Sequence, residues 1–206
     1  MSDATPDLGP AAREVARLLP GVRAEHLAGP TPCDRYPVAA LLDHLLGLSL
    51  AFTACARGEP LPDGGEAAPG GSTAERLDPR WRDRLPAALD ELARAWSAPG
   101  ALEGEATAGG VTLPADVMLL VALDELVLHG WDLARATGQP FRCDPASTAT
   151  VLAFLTASRP DDEPAPEGLF GPVVPVPRGA PALHRALGLA GRDPWWTAPE
   201  RVPRPV

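Results

Sequence analysis

The sequence predicts an all-α protein, a four-helix bundle with short C-terminal additions. Apolar residues recur at helical spacing in several separate stretches. Pro and Gly, 26 and 20 residues, fall mostly between those stretches and punctuate them. Strand signal is almost absent, limited to a short VTL at 111–113 that suits a strand or a turn. With 206 residues, 45% of them hydrophobic, the chain can bury one core.

The elements follow in order. Residues 10–19 carry Val15, Leu18 and Leu19 on one side of a helix that Pro20-Gly21 ends. The stretch GPTPCDRYP, 29–37, is loop, and Pro37 suits the first turn of the next helix, where its missing N–H costs nothing. That helix, 38–56, is apolar around most of its circumference and so is buried on more than one side. Residues 58–72 form a solvated loop. A helix resumes at Thr73 or Pro79 and runs to Trp96, with Trp81, Leu85, Leu89, Leu92 and Trp96 as its core stripe. Pro86 inside it is expected to kink or split it. The longest helix spans 114–137 and is closed by Gly138. Further helices are read over 145–158 and 182–191, separated by a Pro-punctuated segment at 160–181. Two regions result: residues 1–159 as the bundle, and 160–206 as an extended segment and short helix packed on it.

Composition excludes several functions. A net charge of -9 repels phosphate backbones, and neither a basic face nor a helix-turn-helix signal is present, so no nucleic-acid partner is expected. No uninterrupted apolar run approaches the roughly 18–20 residues of a membrane span, and the acidic, polar N-terminus does not read as a signal peptide. A cytoplasmic protein with no membrane partner is the expectation. Cys33, Cys55 and Cys143 lack CxxC spacing and read as reduced thiols with packing roles. All 18 basic residues are Arg, which reads as the codon bias of a GC-rich genome. Leucine-rich helices also leave room for a homodimer interface.

Two of the four histidines sit inside the most apolar helices, where a polar ring is costly unless paired. Glu125 precedes His129 by four residues, so both share one helix face and can bind one metal ion. His44, in LLDHLLG, supplies a third ligand from a second helix. A His-Glu-His set leaves one position of a tetrahedral zinc open, the pattern of a catalytic site. The same residues also suit a buried polar network. Asp132, one turn past His129, could orient a ligand histidine, bind substrate, or lie at the surface against Arg135; the last is slightly favoured. Asp124 is expected to point away from Glu125. Trp131 either packs the bundle or walls a pocket. His26 and His184 read as surface residues, and Trp195-Trp196 as a pin for the tail.

Three segments carry a resemblance. TPCDRYPVAALLDHLLG, DELVLHGWDLARATGQP and FGPVVPVPRGAPALHRALGLAGRDPWW appear in this order. Together they resemble the actinobacterial metal-binding proteins of the DinB/YfiT-like superfamily, close to the mycothiol-dependent maleylpyruvate isomerase type. The resemblance covers about residues 10–196, and three ordered motifs make it specific. It implies a four-helix bundle holding a divalent ion, zinc or alternatively nickel, on His44, Glu125 and His129. Where the family pattern has a tryptophan in the first motif, this chain has Tyr36. Residues beyond 160 look too few for the complete C-terminal domain of the isomerase, so its substrate contacts are not carried over.

The implied activity is transfer or isomerisation with a low-molecular-weight thiol such as mycothiol as cosubstrate. The metal would activate the thiol for attack on a small electrophilic substrate. Arg80, Arg82 and Arg178 are candidates for a substrate or thiol carboxylate, each weighed against an ordinary solvated arginine. Trp131 and Asp132 complete the candidate substrate contacts. Two other classes fit the same site: a metal hydrolase or lyase that needs no thiol, and a non-enzymatic metal-containing protein that holds a small ligand.

Overall fold

The computed structural model describes residues 5–60, 72–158 and 170–199. Helix α1 is Gly9–Leu18, α2 Val38–Arg57, α3 Trp81–Trp96, α4 Ala115–Ala136, α5 Pro145–Ser158 and α6 Ala182–Leu189. Around the bundle, α1 packs on α3, α3 on α2, α2 on α4, and α4 on α1. Helix α5 lies against α4, and α6 against α5. The protein is a helical bundle, as its apolar periodicity predicts. Most of the solvated loop at 58–72, the first part of the 160–181 segment and the tail beyond residue 199 lie outside the described residues.

Leu41, Leu42 and Leu45 of α2 are fully buried, as are Leu85, Leu89 and Leu92 of α3 and Leu126 of α4. At about 1.5–3 kcal/mol for each large apolar side chain removed from water, these layers dominate the folding energy. Burial on several sides explains why α2 is apolar around most of its circumference. By average hydropathy this helix is long and apolar enough to cross a membrane, although Asp43 and His44 interrupt the run; in the fold it is mostly buried within the bundle.

Two expectations change, and the strand-or-turn reading of VTL resolves to a strand. Helix α3 starts at Trp81 and continues through Pro86 without a break. Pro86 lies near the helix start, and one lost ladder bond is outweighed by the buried stripe from Trp81 to Trp96. Residues Ala74–Arg76 form only a short 3₁₀ turn. The VTL segment belongs to an antiparallel hairpin: β1, Glu105–Ala108, pairs with β2, Val111–Pro114. Gly109 and Gly110 turn it with φ of 58° and 78°, a conformation that suits glycine at both positions. The Ala-rich β1 has little intrinsic strand preference, and its contacts with α2 and α4 hold it in place.

The segment after residue 169 is a strap. Val174 donates its N–H to the Gly188 carbonyl at 2.9 Å, which fixes the strap to α6. Farther along, Arg135 donates from Nε to the Trp196 carbonyl at 3.0 Å and so pins the tail, while Trp195 stands exposed.

Candidate metal centre

Helices α2 and α4 pack face to face, and this contact brings His44 opposite Glu125 and His129. The Nε2 atoms of His44 and His129 lie 3.2 and 3.1 Å from the same oxygen, Oε2 of Glu125. The two imidazoles meet edge to face, centroids 4.8 Å apart. One ligand atom from each of the three residues lies within 4.8 Å of the others. All three residues line a cavity of about 740 Å³, a volume in the usual range for small-molecule sites.

The charges are set by this packing. Burial alone would raise the Glu125 carboxyl, but hydrogen bonds from His129 and His44 hold it well below the ordinary range. Burial would lower His129, but Asp132 and Glu125 on its two sides push it up to about 9. In the absence of metal, His129 is therefore an imidazolium that donates from both nitrogens. Its Nδ1–H goes to Asp132 Oδ2 at 3.0 Å.

Asp132 is fully buried. Besides His129 it accepts from Nη2 of Arg192 at 3.2 Å, a residue 60 positions farther along the chain. The slightly favoured surface position for Asp132 is thus corrected. It sits behind the histidine, holds its ring by a hydrogen bond and does not line the cavity. Arg192 is itself buried and does line the cavity. Sequence reasoning did not single it out; its one signal was its place in the GRDPWW motif.

The other candidate contacts also lie elsewhere. Trp131 is buried in the bundle core and does not line the cavity. Arg178 is exposed on the strap and Arg80 at the start of α3, both outside the cavity lining. Arg82 donates to the carbonyls of Leu19 and Val22 and closes the turn after α1. The arginines that do line the cavity are Arg35, Arg76, Arg84 and Arg192. Arg84 is paired with Asp78. The hairpin, through Val111 and Leu113, and the strap, through Phe170 and Gly171, form further walls.

Asp124 departs from Glu125 as expected but is buried, and its Oδ1 has no hydrogen-bond partner among the described residues. Burial, with the Glu125 charge beside it, pushes its carboxyl well up. The cysteines are not activated: burial raises Cys33 and Cys143, and takes Cys55 to about 11. Cys33, His129 and Asp132 form a second convergent group within 4.8 Å. There, however, the Arg192 guanidinium already neutralises Asp132, and a cation would meet its charge. Among the described residues, no arginine is in direct contact with Glu125 in the His44–Glu125–His129 group. Its two imidazole nitrogens and one carboxylate oxygen, open to a cavity, are a donor set that fits a divalent ion of the zinc class.

Residues 8–134 match the mycothiol maleylpyruvate isomerase N-terminal domain family. The chain belongs to this family. All three convergent residues and Asp132 fall within the matched span, whereas Arg192 lies beyond it. Two uncharacterised proteins from two strains of Mycobacterium tuberculosis are each 29% identical over 188 residues, covering 86% of this chain and 91% of each relative. The crystal structure of a mycothiol-dependent maleylpyruvate isomerase shares the fold. Its TM-score is 0.52 at 18% identity, over 72% of this chain and 67% of that one.

Proposed function

We propose that the protein is a divalent-metal-dependent enzyme of the mycothiol-dependent transferase or isomerase type, acting on a small electrophilic substrate. The observation that carries this reading is the convergence of His44, Glu125 and His129 on one wall of the cavity. Family membership supports mycothiol as the cosubstrate, since the structurally similar isomerase is described as mycothiol-dependent.

His44, Glu125 and His129 would hold the ion, zinc in the first instance and nickel as the alternative. When bound, the ion supplies Lewis acidity that lowers the pKa of a thiol or water at its open position. Asp132 accepts the Nδ1–H of His129 and fixes the ring so that Nε2 faces the cavity. Arg35, which lines the cavity, offers a cationic group to a carboxylate of the thiol or the substrate. The hairpin and strap supply walls of the cavity in which the substrate would sit. No protein cysteine is required, in keeping with three thiols that burial keeps protonated.

The test begins with metal content by mass spectrometry on untagged protein, for wild type and for Glu125→Ala and His129→Ala. About one divalent ion per chain is expected in wild type, lost in both variants. Turnover of electrophile panels with and without mycothiol follows. Turnover without thiol would favour a hydrolase or lyase, and ligand binding without turnover a binding protein. A wild type that takes up no metal from excess zinc overturns the reading.

A further inference from the structure

We propose that Tyr36 is a positioning residue that sets the orientation of the His44 imidazole. The proposal rests on the metal-centre reading above and adds to it a residue outside the donor set.

The two histidines are held in different ways. His129 is gripped at both nitrogens, by Glu125 and by Asp132, and Asp132 is backed by Arg192. His44 has one grip only. Its Nε2 meets Glu125 at 3.2 Å, and among the described residues its Nδ1 has no hydrogen-bond partner. Its side chain is also more open, 21% exposed against 8% for His129. The ring torsion of histidine is broad and roughly two-fold, so a single hydrogen bond leaves the ring free to turn its nitrogen away.

Tyr36 supplies the missing constraint. Its ring stacks on His44 with centroids 4.7 Å apart and planes at 24°. It also meets His129 edge-on, centroids 6.0 Å apart. Both geometries are favourable for aromatic pairs. Tyr36 is itself only 5% exposed, packs with the bundle core and lines the same cavity as the two histidines.

The loop before α2 is built to hold that ring. Buried Thr31 donates its hydroxyl to the Tyr36 carbonyl at 2.7 Å, and its oxygen accepts from the Cys33 N–H at 3.1 Å. The Tyr36 N–H donates to the Cys33 carbonyl at 3.1 Å, closing the turn. Val38 and Ala39 donate to the carbonyls of Gly29 and Leu27, which ties the turn to the start of the helix that carries His44. Thr31, Tyr36 and Pro37 of the TPCDRYP segment thus act together: a hydroxyl brace, an aromatic plate and a fixed entry into α2.

The experiment compares wild type with Tyr36→Leu, Tyr36→Phe, Tyr36→Trp and Thr31→Val. Zinc affinity is measured by competition with a chromophoric chelator, and cobalt(II) absorption reports ligand geometry. Tyr36→Leu should weaken zinc binding about 10–100-fold, as loss of a ligand-orienting partner does, and change the cobalt spectrum. Tyr36→Phe and Tyr36→Trp, which keep an aromatic plate, should stay near wild type. Thr31→Val, which keeps the ring but loses the brace, should fall between and serves if Tyr36→Leu does not fold. A second readout needs no metal: in the metal-free protein, Tyr36→Leu should exchange-broaden the His44 ring NMR signals while those of His129 stay sharp. Unchanged zinc affinity in Tyr36→Leu, or a loss in Tyr36→Phe equal to it, overturns the proposal. If wild type binds no zinc, the metal reading fails and the His44 ring signals alone decide the positioning role; sharp signals in Tyr36→Leu then reject it.

Discussion

Nη2 of Arg192 lies 3.2 Å from Oδ2 of Asp132, and both side chains are buried. Through this pair the chain beyond α6 reaches the back of the candidate metal centre, because the same Asp132 oxygen accepts from His129. Arg192→Leu removes one of the two cationic partners of Asp132 and leaves it His129, so it should lower stability by about 1–3 kcal/mol in urea unfolding. The double variant Arg192→Leu with Asp132→Asn should recover part of that loss. Equal stability of wild type and Arg192→Leu would show that the pair carries no net weight.

Metal uptake should be coupled to proton release. Without metal, His129 stays protonated up to about pH 9, held by Asp132 and Glu125, and a ligand histidine must be neutral. At pH 7, about one proton should leave per ion bound, and apparent affinity should rise with pH before flattening above about 9. Calorimetry in buffers of different ionisation enthalpy measures this. The metal-free protein follows the opposite course. His129 is raised from 6.5, so its stabilising contribution is full below that value and is lost as pH rises through about 9.

Asp124 should weaken the fold as pH rises. Burial pushes its carboxyl well above 3.8, so above that pH the unfolded chain loses a proton that the folded chain keeps. In that window the cost grows by at most about 1.4 kcal/mol per pH unit. Asp124→Asn removes the titration. Its stability relative to wild type should increase from pH 4 to pH 7 in chemical denaturation. Parallel pH profiles for the two proteins would contradict the assignment.

Gly188 admits no side chain. A Cβ there would lie 2.3 Å from Cγ2 of Val176 and 2.6 Å from the Val174 carbonyl oxygen. The backbone oxygen cannot swing aside as a side chain can. Gly188→Ala should push the strap off α6 and cost about 1–3 kcal/mol, read as a lowered melting temperature. Hydrogen exchange at the Val174 amide, which donates to Gly188, should speed up more than exchange in α2.

Much of this protein is legible in one dimension. Helices α1, α2, α4 and α5 fall within one residue of their expected ends, because apolar periodicity and Pro or Gly boundaries are local signals. The i, i+4 relation of Glu125 and His129 is equally local, since a helix places both on one face whatever surrounds it. The hairpin was less legible. Its first strand is EATA, which carries little strand preference of its own, and the short VTL of the second strand was the main hint of it.

The sequence by itself determined the helices, the apolar stripes that join them and the face that pairs a carboxylate with a histidine. Only the tertiary structure decided that Asp132 is buried behind His129, that Arg192 neutralises it, and that Arg35 and Arg76 line the cavity while Arg178 stands outside. Helical periodicity is a property of neighbouring residues, so it survives in the sequence. Burial of a charge and its partner depends on where distant segments cross, and a separation of 60 positions along the chain leaves no periodic trace of that meeting.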